Sequence, residues 1–296
     1  MNSADDRLVG GIEAGGTKFV LAVGRSPTEI VARHTIPTRT PDATLGEALD
    51  WLRHRGNLAA LGIASFGPLE LDRASPFWGH ITNTPKPGWS NCDIVGFFAE
   101  RLGVPTGFDT DVNGAAIAEA RFGAGRGATS LAYITVGTGI GGGLIVDQVP
   151  VHGAAHPEMG HIFPRRHPSD LAFGGVCPHH GDCLEGLASG PAIKSRWGAS
   201  LSELPAGHEA MGIIADYLAQ LCHALVATAA VEVVVLGGGV MKTNGLLALV
   251  QARAADIAAG YFPGQAKHRI VAPFLGGDAG LAGALCLAQA ARGTKD

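Results

Sequence analysis

Apolar residues fall along this chain in short runs separated by glycine-rich turns, and these give way to longer stretches with helical spacing. Leu8 to Glu13 is an apolar run, Ala14-Gly15-Gly16-Thr17 is a turn, and Lys18 to Val23 is a second run, which together predict a β-hairpin. The same order returns as Leu131 to Val136, the turn Gly137-Thr138-Gly139, and Ile140 to Val146. Two Gly-Thr hairpins about 120 residues apart predict an internally duplicated fold, each half opening on a phosphate-sized turn.

Between the hairpins the pattern predicts a strand at Leu58 to Ala64, a Pro-rich loop from Thr82 to Trp89, and a helix starting near Asn113. A loop-rich stretch follows from Pro150 to Cys183. Glu209 to Ala230 has the length and spacing of a buried helix, and Val231 to Leu236 reads as a strand closed by Gly237-Gly238-Gly239. A helix from Gly245 to Ala259, a strand at Ile270 to Pro273 and an Ala/Leu-rich helix from Ala279 to Ala291 complete the reading. Strands alternating with helices predict an α/β fold. No Ser/Pro linker separates the halves, so two α/β lobes around a cleft are expected.

Composition narrows the partners. At 296 residues and 46% hydrophobic content the chain can form one large or two medium domains with real cores. Its 44 glycines follow no G-X-Y period, which excludes collagen and directs attention to turns. Only 16% of residues are charged and the net charge is −4, so no basic field exists for nucleic acid or an anionic membrane. A small-molecule partner is expected. The N-terminus is acidic without an apolar core, and the longest apolar stretch, Ala224 to Leu236, is broken by Glu232; a cytoplasmic protein is expected. Of the 5 cysteines, Cys177 and Cys183 lie close together while Cys92, Cys222 and Cys286 are scattered, which suits a metal site plus core thiols.

Glycine turns let backbone N–H groups converge on an anion, because no Cβ blocks the approach. GGIEAGGTK and VGTGIGGG both fit, and neither is a Walker A loop or a GxGxxG helix opening. Cys177-x2-His180-x2-Cys183, with His161 upstream, offers two thiolates and two imidazoles, a closed set of the kind that holds structural Zn²⁺; His152, His156, His167 and His179 compete for the imidazole places. In Asp109-Thr110-Asp111-Val112-Asn113 a carboxylate can either act in a cleft or cap the following helix.

The segments GIEAGGTKF, SFGPL, TPKPGW, DTDVNGAA, GTGIGGG, HPEMGH, CPHHGDCLEGLASGPAI and GGGVM stand in the order of the ROK family of sugar kinases. The chain resembles that family over nearly its whole length, and SFGPL and CPHHGDC resemble its bacterial fructokinase branch. The resemblance implies two RNase H-like lobes of the actin, Hsp70 and sugar-kinase superfamily: residues 1–116, joined by the C-terminal helix 279–292, and residues 117–278. It implies ATP-dependent phosphorylation of D-fructose at the 6-hydroxyl, with Asp111 as general base. Sugar contacts fall on Asn83, Asn113, Glu158, His161 and Glu185. Nucleotide contacts fall on Gly15, Gly16, Thr17, Lys18, Thr138, Gly139, Pro191, Gly237, Gly238, Gly239, Val240 and Met241. The implied zinc ligands are His161, Cys177, His180 and Cys183, and Glu13 stands where an outer-sphere Mg²⁺ partner is expected. A homodimer is the family's common assembly. Glucose, mannose or N-acetylmannosamine is the alternative substrate; a sugar-sensing regulator is the alternative class, disfavoured because fewer than a dozen residues precede the first glycine-rich segment, GGIEAGGTK.

Overall fold

The computed structural model describes residues 7–293. Contacts group them into two units. One holds the described residues up to Ala118, Val151–His156 and those from Gly277 onward; the other holds Glu119–Pro150 and Pro157–Gly276.

The first unit contains β1 (Val9–Ala14), β2 (Lys18–Ser26), β3 (Glu29–Pro37), α1 (Pro41–Arg53), β4 (Leu61–Ser65), the short pair β5 (His80–Ile81) and β6 (Cys92–Asp93), α2 (Ile94–Leu102), β7 (Thr106–Thr110) and most of α3 (Asp111–Phe122). Its sheet has the order β3-β2-β1-β4-β7, antiparallel through the β1–β2 hairpin and parallel from β1 to β7. One core packs Ile12, Phe19, Leu21, Ile63, Trp89 and Phe98. Trp89 remains fully buried because its indole N–H donates to the Arg39 carbonyl at 2.8 Å.

The second unit contains β8 (Ser130–Val136), β9 (Ile140–Val146), β10 (Val149–Pro150), α4 (Leu184–Ala188), α5 (Gly190–Trp197), α6 (Ala210–Ala229), β11 (Val233–Gly237), α7 (Leu246–Ala258) and β12 (Arg269–Val271). Its sheet order is β10-β9-β8-β11-β12, again three antiparallel strands followed by parallel neighbours. The duplication predicted from the two Gly-Thr hairpins is therefore present at the level of strand order. Helix α6 is long and apolar enough to cross a membrane by composition, yet 61% of its most apolar window is buried and its side chains form the centre of this unit's core.

The last helix, α8 (Ala279–Gly293), returns to the first unit and covers β1, β4 and β7. Its small residues permit a close approach. A Cβ on Gly62 would stand 1.8 Å from the Ala284 carbonyl oxygen, and one on Gly107 2.3 Å from that of Leu287. Several of the chain's glycines thus serve helix-on-sheet packing and not phosphate turns.

Some elements differ from the sequence reading. Strand β4 starts at Leu61, not Leu58, because residues 58–60 form the connection in which Ala59 N donates to Leu8 O and Gly10 N to Ala60 O. Strand β11 is shifted likewise, since Glu232 lies outside it and accepts from the Thr129 hydroxyl. The edge strand β3 was not predicted because its pattern is largely solvent-facing. Helices α1 and α2 were also missed, although α1 shows apolar residues at Leu45, Ala48, Leu49 and Leu52, one face of a helix. Residues 151–156, expected with the second half, group with the first unit.

Candidate active site and metal centre

In the first unit the register pairs Ala14 with Ser65 and Ser65 with Thr110, which sets the carboxyl ends of β1, β4 and β7 side by side. Ligands of open parallel sheets bind at this edge. Asp109 lies one residue from the end of β7 and is 2% exposed. Its Oδ1 accepts from Thr110 N at 2.8 Å and Asn113 Nδ2 at 2.7 Å, and its Oδ2 is 3.0 Å from His152 Nε2. The Asp109 hydrogen bond pushes the His152 pKa up from its ordinary value, against burial, which acts the other way.

Helix α3 begins at Asp111 because the Thr110 hydroxyl accepts from Asn113 N at 3.0 Å, so Thr110 supplies the cap. The Asp111 carboxylate, partly exposed, accepts from its neighbour Val112 N at 2.8 Å. Asn113 is fully buried; its amide nitrogen faces Asp109, which turns Oδ1 away, and that oxygen is buried with no hydrogen-bond donor among the described residues.

Glu13, near the end of β1, is partly buried, and desolvation raises its pKa while Lys18 and Arg33 pull it down. Its carboxylate rests on the first turn of α8: a Cβ on Gly280 would lie 2.5 Å from Glu13 Oε1. The first turn closes through Gly15 N to Lys18 O at 3.0 Å and leaves Gly16, Thr17 and Lys18 exposed. Asn83 is exposed in its loop.

In the second unit the turn after β8 is braced from two sides. Gly190 N, at the start of α5, donates to Gly137 O at 2.8 Å, and Glu185 Oε2 accepts from Ile140 N at 2.8 Å. A Cβ on Gly139 would sit 2.6 Å from Glu185 Oε2, whereas Gly137 and Gly239 have open space beside them. Thr138 and Pro191 are exposed. Gly237 is paired with Thr135, so the GGG segment lies next to the second turn; Gly238 has φ +93° and would drive a Cβ to 2.4 Å from Val136 O. Val240 is buried and Met241 partly so.

One metal-type cluster is formed by His161, Cys177, His180 and Cys183, whose ligand atoms all lie within 4.8 Å of one another. The Nδ1 atoms of His161 and His180 are 3.2 Å apart, and Cys183 Sγ and Cys177 Sγ lie 3.5 and 3.9 Å from His161 Nδ1. Tetrahedral Zn²⁺ with ordinary bond lengths requires edges of about 3.3 Å between imidazole nitrogens and about 3.6 Å between nitrogen and sulfur, so the donor set fits that ion. His180, not His179, joins the cluster; His152 and His156 belong to the first unit. Burial, with Cys177 adjacent, pushes the Cys183 thiol up to about 11, a cost that a bound cation reverses.

The cluster is tied to the second turn. Leu184 N donates to Ile162 O at 2.8 Å, joining the two ligand arms, and Cys183 starts the short helix that carries Glu185. Glu158, just before the His161 turn, is exposed. A network the sequence did not reveal holds the loop between: Tyr217 OH donates to buried Asp170 Oδ2 at 2.6 Å, Arg196 pairs with the same carboxylate, and Arg166 donates to Asp182 at 2.9 Å. His152 on Asp109 was likewise missed, since no spacing links residues so distant in the chain.

A sequence profile described as the ROK family matches residues 9–291. A fructokinase of Zymomonas mobilis subsp. mobilis is 51% identical over 97% of this chain and 98% of its own length. A fructokinase of Pediococcus pentosaceus is 39% identical over 96% of this chain and 98% of its own. Among solved structures, a ROK hexokinase from Thermus thermophilus has a TM-score of 0.77 and 27% identity, covering 96% of this chain and 98% of that one. A ROK glucokinase from Streptomyces griseus, in complex with glucose and AMPPNP, has a TM-score of 0.75 and 25% identity, covering 96% and 99%.

Proposed function

The chain belongs to the ROK family, and from that premise we propose that it is an ATP-dependent fructokinase, making fructose 6-phosphate. The observation that carries this reading is the 51% identity to a fructokinase along almost the full length of both chains. It is supported by the other fructokinase relatives at 39–42% identity.

In this reading Asp111 accepts the proton of the 6-hydroxyl as that oxygen attacks the γ-phosphorus; the bond to the β-phosphate oxygen breaks and ADP leaves. Its place favours the role: it stands at the carboxyl end of β7, partly exposed, and Thr110 relieves it of capping the helix. In the same reading the sugar contacts are Asn83 and Asn113 of the first unit and Glu158, His161 and Glu185 of the second. The nucleotide contacts are Gly15 to Lys18 of the first unit and Thr138, Gly139, Pro191 and Gly237 to Met241 of the second, and the open space at Gly16, Gly137 and Gly239 gives a phosphate or ribose room to approach each.

Mg²⁺ supplies charge neutralisation across the phosphates when bound, and Glu13 is the residue that would hold its water shell; a hard carboxylate at the end of β1 is the donor type the ion takes. Zn²⁺ at His161, Cys177, His180 and Cys183 has a structural role, fixing the loop that presents Glu158 and Glu185. The working assembly is a homodimer and the location cytoplasmic.

ADP release measured over fructose, glucose, mannose and N-acetylmannosamine tests the substrate, with fructose expected to give the highest kcat/KM; a clear preference for another hexose overturns it. Asp111→Asn is expected to lower kcat by about a hundredfold or more while ATP and fructose still bind, as read by calorimetry. Normal turnover in that variant would remove Asp111 from the role of base.

A further inference from the structure

His152 has a partner that zinc does not explain. It sits in the segment Val151–His156, which packs with the first unit although the chain on either side belongs to the second. The segment is held twice: His152 Nε2 lies 3.0 Å from Asp109 Oδ2, and Leu69 N donates to His156 Nε2 at 3.3 Å. Asp109 is 2% exposed, and a carboxylate that deep in a protein costs several kcal/mol unless it is paired and hydrogen-bonded. Thr110 N and Asn113 Nδ2 are neutral donors to its Oδ1. His152 is the ionisable partner, and 38% of its side chain remains in solvent.

The arrangement matters for Asn113. An amide can present either its oxygen or its nitrogen, and only a fixed acceptor decides which. Asp109 takes the Nδ2 donor at 2.7 Å, so the Oδ1 acceptor must point elsewhere, and it is buried without a donor among the described residues. A sugar hydroxyl is the donor such an oxygen lacks. His152 Nε2 also lies 3.3 Å from Asn113 Nδ2, so the imidazole borders the amide as well as the carboxylate.

We propose that His152 is a positioning residue for the sugar: by holding Asp109 it locks the Asn113 amide with its oxygen presented to a substrate hydroxyl. This rests on the reading of Asn113 as a sugar contact. His152 touches neither reacting atom; it acts through Asp109.

The test is steady-state kinetics on the full-length, zinc-replete protein with His152→Ala, His152→Gln and the double variant Asp109→Asn with His152→Ala. Loss of a charge-assisted hydrogen bond predicts about a tenfold rise in the fructose KM for His152→Ala, with kcat and the ATP KM within about twofold of wild type. Glutamine can still donate to Asp109, so His152→Gln should recover most of the fructose KM. A purely structural role would instead lower kcat and thermal stability and raise both KM values together, and glutamine would not rescue the sugar term. If His152→Ala does not fold because Asp109 is left unpaired, the double variant removes that charge and should still show the raised fructose KM. An unchanged fructose KM in whichever variant folds overturns the proposal. A wild-type enzyme that prefers another hexose would overturn the fructose reading alone, since the same variants can then be measured on that sugar.

Discussion

At the scale of single residues, Glu13 is under the clearest tension. Desolvation raises its pKa from the ordinary 4.5, only partly offset by Lys18 and Arg33. Because the folded state holds the proton more tightly than the unfolded one, the favourable contribution is complete below about pH 4.5 and is lost as pH rises through the raised folded value. Above that, the partly buried charge works against folding. Glu13→Gln should therefore raise the thermal midpoint of the metal-free protein at pH 7, and the difference from wild type should vanish as pH falls towards 4. The same variant should need more Mg²⁺ for half-maximal turnover if Glu13 holds the ion's water shell. A lower midpoint at pH 7 would show that the carboxylate contributes favourable bonds as an anion. Glu13, Asp111 and the Cys/His set could be picked out in the sequence because each lies within a short motif. The Asp109–His152 pair could not, because 43 residues separate its members and only the folded segment 151–156 brings them together.

At the scale of elements, the zinc-type loop links a metal cluster to the second Gly-Thr turn through three residues. Cys183 begins α4, Glu185 stands in its first turn, and Glu185 Oε2 holds Ile140 N at 2.8 Å just after the second Gly-Thr turn. A ligand lost from the cluster should loosen Glu185 and, with it, the turn. Cys183→Ser is expected to abolish stoichiometric zinc in metal analysis and to raise the fructose KM, with Glu185→Gln giving a comparable rise while keeping its zinc. Zinc-free wild-type protein with full sugar affinity would separate the metal from the site. The hairpins, α6 and α8 were legible because their apolar runs are long or bounded by glycine. The strand β3 was not, since its side chains largely face solvent; α1 and α2 do carry apolar faces, Leu45, Ala48, Leu49 and Leu52 in one and Ile94, Val95 and Phe98 in the other, but each is short and set among polar and glycine residues that break the run. Loops such as Pro150–Cys183 give no periodicity at all, and their order comes from Tyr217, Asp170, Arg166 and Arg196, which join distant positions.

At the scale of the whole chain, the first unit is discontinuous: its sheet is built from the first 118 residues, yet the helix covering that sheet comes from the last turns of the chain. Helix α8 fits only because Gly62 and Gly107 have no side chains, with the Ala284 and Leu287 carbonyls where a Cβ would be. A few of the chain's glycines, Gly62 and Gly107 among them, thus answer this packing requirement and not a turn. Gly62→Val should therefore force α8 away from β4 and destabilise the first unit by about 3 kcal/mol or more, visible as a lower denaturant midpoint. The second unit has its own core and its own metal cluster, and neither includes α8. Zinc content should then survive in Gly62→Val even where fructose binding is lost, and dissociation of zinc in step with the first unfolding transition would show that the two units fold as one.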